Sequence, residues 1–71
     1  MVRLNGQDFI WRPNMSVVDL MNDHNSVNEI KLDYKGTVIV VNDTAITAIE
    51  ARTRELRDNE SVYIVPIMDG G

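Results

Sequence analysis

The dipeptide Asn5-Gly6, set between Val2-Arg3-Leu4 and Gln7-Asp8-Phe9-Ile10-Trp11, constrains this chain more than any other local feature. A two-residue type I′ turn needs positive φ at both central residues, and Asn-Gly supplies it. The chain is therefore expected to open with an antiparallel hairpin, with Val2, Leu4, Phe9 and Trp11 available to a core. What that hairpin packs against must be apolar, because 71 residues with no cysteine and one histidine have no disulfide and no zinc knuckle to staple them. A hydrophobic content of 44% is enough to build one core. A chain of this length makes one domain with little room for an internal cleft.

Pro13 ends the second strand, and Asn14 or Ser16 is placed to cap a helix. Ser16-x-x-Asp19 is a shortened capping box. Val17, Leu20, Met21 and His24 share one helical face, widened by Val18, with Asp19 and Asp23 opposite; the helix is expected to stop near His24 or Asn25. Ile30, Leu32 and Tyr34 then alternate with Lys31, Asp33 and Lys35, which predicts an extended, half-buried run. Thr37 to Val41 is β-branched and apolar on both faces, as in a strand covered on both sides or lying at the sheet centre. Thr44 to Ile46 reads as a short returning strand. Thr47 to Leu56 reads as a weak helix, or as one turn followed by an extended piece. Asn59 suits a left-handed turn at Asp58-Asn59-Glu60. The last strand is predicted over Ser61 to Ile67, with Val62 and Ile64 on one face and Tyr63, Val65 and Ile67 on the other. Pro66, lacking an amide donor, belongs near its end or on an edge.

This order predicts an α+β roll, with one main helix packed on one face of a mixed sheet of four to five strands. The domain is expected to span 1–67, with a flexible tail at 68–71. Eleven acidic against seven basic residues give a formal net charge of −4, which argues against nucleic acid as a partner and suits a basic protein face. No stretch approaches the ~20 apolar residues of a membrane span, and no basic head precedes an apolar run. Cysteine-free composition fits a cytoplasmic location.

A hairpin turning at Asn5-Gly6, then Ser16-Val17-Val18-Asp19-Leu20-Met21, Val40-Val41-Asn42, Asp58-Asn59-Glu60-Ser61-Val62 and a final Gly70-Gly71 resembles the ThiS/MoaD family of β-grasp, ubiquitin-like sulfur carriers. The resemblance spans nearly the whole chain, yet most of it is apolar patterning. The specific element is the glycine pair, which would close a chain by chance in roughly 0.5% of cases. Asn59 stands where the family commonly has glycine, and the segment from Val27 to Lys35 is longer than in the thiamin carriers. Pro66 is similar to the molybdopterin synthase small subunit, whereas the length is nearer ThiS.

The resemblance implies no tightly bound cofactor and no catalytic side chain. It implies that the Gly71 carboxylate is adenylated at the expense of ATP by an enzyme of the ThiF/MoeB kind. A persulfide donor then converts it to a thiocarboxylate, which passes sulfur to a synthase, either ThiG-like for the thiazole of thiamin or the large molybdopterin synthase subunit. A ubiquitin-like modifier joined to lysines through Gly71 would use the same activated carboxylate. Glycine has no Cβ, so Gly70 and Gly71 allow close approach inside an activating channel. Ordering such a tail costs about 1–2 kcal/mol per residue, to be recovered from the face beside it. Val65, Ile67, Met68 and Asp69, with Tyr63 or Tyr34, are the expected docking residues. Among the remaining polar groups, Ser16 reads as a cap, His24 as a residue favoured by the helix C-terminus, and Arg52, Arg54 and Arg57 with Glu50, Glu55 and Glu60 as a solvated charged face.

Overall fold

The computed structural model describes residues 1–33 and 36–66. Its elements are β1 (Val2–Leu4), β2 (Gln7–Phe9), α1 (Val17–Val27), β3 (Thr37–Val41), β4 (Thr44–Ile46), α2 (Ala48–Thr53) and β5 (Ser61–Pro66). The five strands form one mixed sheet in the order β2-β1-β5-β3-β4, a β-grasp roll. β1 and β5 run parallel at its centre, and the other pairs are antiparallel.

The opening hairpin forms as predicted, with Leu4 opposite Gln7 and positive φ at Asn5 and Gly6. Its second strand is shorter than read, because Ile10 and Trp11 lie outside it. Trp11 nonetheless packs on the core edge, where its indole nitrogen donates to the Leu56 carbonyl at 2.8 Å. α1 begins at a complete capping box. The Asp19 amide donates to Ser16 Oγ, and the Ser16 amide donates to the Asp19 carboxylate. The helix runs to Val27, past the predicted stop. Asn28 donates from its side chain to the His24 carbonyl at 2.8 Å, and Lys31 Nζ donates to the carbonyls of Asn25 and Asn28. These bonds satisfy carbonyls that a helix end otherwise leaves bare.

Residues 28–33 form no strand, contrary to the alternation of Ile30 and Leu32. Ile30 is 82% exposed, and Leu32 packs on the core edge. The reason is visible in the backbone bonding. The Leu32 amide donates to Asn25 Oδ1, and the Leu32 carbonyl accepts from Asn25 Nδ2, both at 2.8 Å. A side-chain amide thus takes the place of a neighbouring strand.

α2 is the shorter of the two readings of its segment: six residues capped by Thr47 and Glu50, then an extended stretch touching Ser16 through Glu55. The core is one cluster in which Val2, Leu4, Ile39, Val41, Val62 and Ile64 of the sheet meet Val17, Leu20 and Met21 of α1, with Met15, Ala51 and Leu56 closing its margin. Among the described residues, no helix is long and apolar enough to cross a membrane.

Candidate docking face at the end of the last strand

Val62 to Val65 of β5 alternate buried and exposed because the helices cover only one side of the sheet. Val62 and Ile64 are 1–2% exposed, whereas Tyr63 and Val65 are 50% and 53% exposed. The uncovered face continues onto β3, where Val65 lies opposite Val38 and Tyr63 opposite Val40. It reaches β4 through Ala45, opposite Val40. Val38 is exposed and Val40 half-buried. Of the two alternatives for β3, a place inside the sheet holds and cover on both sides does not. β3 lies between β5 and β4, and among the described residues no layer covers its Val38–Val40 face. Contiguous apolar surface of this kind is a candidate site of association.

The composition of the face changes across the sheet. On the β1–β2 side, the outward residues are Arg3 and Asp8, paired at 3.0 Å and both about half exposed. On the β3–β5 side they are Tyr63, Val65, Val38 and Val40. The apolar half is the one nearest to the last described residue of β5, since Pro66 lies opposite Thr37. Placing Pro66 at the strand's last position fits its missing amide.

Of the residues expected to carry function, Val65 and Tyr63 take their places on this face. Ile67, Met68, Asp69, Gly70, Gly71 and Tyr34 lie outside the described residues. Val38 and Val40 were not anticipated as surface. The available signal was the two-faced apolar pattern of β3 in a chain with only one long helix to cover it.

The polar residues set aside in the sequence take structural places, with one correction. His24 contacts Asn25 Oδ1 at 3.0 Å and meets the Phe9 ring at a 6.1 Å centroid distance. Asp23 accepts from Arg12 at 2.8 Å. Glu60, read as solvated, is buried. Its carboxylate accepts from Asn42 Nδ2, the Arg57 amide and Arg54 Nη2, and Arg54 Nη1 is buried with no hydrogen-bond partner among the described residues. Among the described residues, no group of three or more His, Asp or Glu side chains is arranged to hold a metal ion.

No family model matches the chain, and no curated protein matches it.

Proposed function

We propose that this protein is a sulfur carrier whose reactive group is the carboxylate of Gly71. The observation that carries the reading is the exposed apolar stripe beside the last described residues of β5. A β-grasp sheet presents an uncovered apolar stripe of Val38, Val40, Tyr63 and Val65 at the point where the chain runs on towards Gly70-Gly71. The stripe is docking surface for an activating enzyme, and its burial offsets the cost of ordering the glycines in a narrow channel.

The chemistry follows from the electrophile. A carboxylate has no competent leaving group, so the terminal oxygen attacks the α-phosphorus of ATP and pyrophosphate departs. A persulfide on a separate protein then attacks the acyl carbon, and AMP leaves. Cleavage of the S–S bond by a second thiol releases the thiocarboxylate, with the persulfide protein and that thiol left as a disulfide. Sulfur then passes to an acceptor on a synthase, in the assembly of a sulfur-containing cofactor such as the thiazole of thiamin.

The test is the intact mass of the chain after incubation with ATP, an adenylating enzyme of the ThiF/MoeB kind and a persulfide donor. The expected product gains the mass of one oxygen-for-sulfur exchange, and the chain lacking Gly71 gains nothing. An unchanged mass with each such enzyme overturns the proposal. A covalent adduct on lysines of other proteins would replace it with a protein modifier.

A further inference from the structure

The geometry points to Asn5 as a site of spontaneous deamidation that the fold holds closed by engaging both ends of its carboxamide. Asn5 and Gly6 form the two-residue turn at φ +49° and +85°. In any Asn-Gly sequence, the amide nitrogen of the glycine is an unhindered nucleophile, because no Cβ stands beside it. After losing its proton to hydroxide, Gly6 N bonds to Asn5 Cγ, and the carboxamide nitrogen leaves as ammonia. Water then opens the cyclic imide at either carbonyl, giving aspartate or isoaspartate. The balance is one water consumed and one ammonia released, with no oxidant or enzyme required.

In the folded chain this carboxamide is occupied. Asn5 Nδ2 donates to the Ile64 carbonyl at 3.1 Å, and the Ile64 amide donates to Asn5 Oδ1 at 2.9 Å. The side chain therefore pairs with β5 as a strand backbone would. Turning Cγ towards Gly6 N breaks both bonds, and Ile64 is held from its other side by pairing with Ile39. Closure is thus linked to detachment of the hairpin turn from β5. The Asn5 backbone reinforces the tie, since its amide donates to the Val62 carbonyl at 2.9 Å. Once converted, aspartate presents an oxygen where Nδ2 had donated to the Ile64 carbonyl, and isoaspartate adds a backbone carbon to a turn whose register is fixed. Neither product restores both carboxamide bonds to Ile64, since aspartate keeps the acceptor for the Ile64 amide and loses the donor to its carbonyl.

The experiment incubates the intact chain at mildly alkaline pH, once folded and once in guanidinium chloride, with peptide mapping for the amide-to-acid mass change. In denaturant, Asn5 is expected to convert before the other asparagines. In the folded chain it is expected to convert more slowly by roughly tenfold or more, from the two hydrogen bonds that must open. In sub-denaturing guanidinium, conversion is expected to rise in step with hydrogen exchange at the Ile64 amide. Refolded deamidated chain should unfold at lower denaturant than unmodified chain. Equal rates in folded and unfolded chain, conversion that rises while the Ile64 amide stays protected, or an unchanged unfolding midpoint for the product would each overturn the inference.

Discussion

Two stretches of this chain alternate apolar and polar or exposed residues in the same way, and only one of them is a strand. Val62-Tyr63-Ile64-Val65 lies between β1 and β3, with its inner residues at 1–2% exposure. Ile30-Lys31-Leu32-Asp33 has no strand beside it among the described residues, and Ile30 is 82% exposed. A period of two says that a segment is able to be a strand. Pairing decides whether it is one, because each backbone amide and carbonyl needs a partner. β5 finds partners on both sides, whereas Leu32 finds the side chain of Asn25.

The largest effect expected from breaking the comparison is in the core. Ile64→Ala removes a fully buried side chain from the central strand and should cost about 2–5 kcal/mol. Ile30→Ala, at an equivalent place in the sequence pattern, should change stability by no more than about 0.5 kcal/mol. Urea denaturation of both variants checks this. Comparable losses would mean that residues 28–33 are packed as β5 is.

Asn25→Ala is expected to come next, at about 1–3 kcal/mol, because it leaves the Leu32 amide and carbonyl without their partners. Its clearest readout is hydrogen exchange. The Leu32 amide should lose protection in this variant, while the Ile64 amide keeps its own. If Leu32 stays protected, another group holds the segment, and the side-chain substitution for a strand is refuted.

Much of this contrast was legible in the sequence, and the part that was not has a physical cause. Asn5-Gly6 announces its turn because the backbone requirement for positive φ is local. The inner and outer faces of β5 follow from alternation once a single helix must cover the sheet. By contrast, the bond from Asn25 to Leu32 spans seven residues and depends on where α1 ends. That end is set by Asn28 and Lys31 capping the last carbonyls. Glu60 was misjudged for a similar reason, since its burial depends on Asn42 and Arg54 arriving from elsewhere in the chain. The glycines at the chain's end were evident as letters, and so was Val65 as a surface residue. Val38 was not, because covered and uncovered apolar strands share one composition.

A smaller stability effect separates the two faces of β5. Val65→Thr keeps the β-branched shape on the exposed side and should alter stability by no more than about 0.5 kcal/mol. Under the sulfur-carrier proposal the same change slows loading by the activating enzyme, because a hydroxyl replaces apolar surface in the docking stripe. Normal loading with Val65→Thr and with the matching Val38→Thr would remove the stripe from the docking role, while leaving the chemistry at Gly71 untouched.

The smallest effect concerns how the turn leading into β5 is fastened. The N-terminal ammonium sits 2.5 Å from the Asp58 carboxylate, and the Asn59 amide donates to the Met1 carbonyl at 2.8 Å. The hydrogen bond from that ammonium, chiefly, holds the Asp58 carboxyl below its ordinary value of 3.8; burial opposes it, and the ammonium's charge and the Asn59 amide add smaller effects in the lowering direction. Because the folded value lies below the unfolded one, the carboxylate's contribution is complete above pH 3.8 and is lost as the pH falls through the lower, folded value. Both groups are more than half exposed, so the contribution is small and screened by salt. Asp58→Asn should therefore unfold at slightly lower urea than the parent at neutral pH and low salt, and the two midpoints should converge as the solution is acidified below 3.8 or brought to high salt. A gap that persists in acid would show that Asp58 acts through the geometry of its turn and not through its charge. The fastening of β5 would then owe nothing to charge at this end, as at the Asn5 end, where neutral hydrogen bonds hold it.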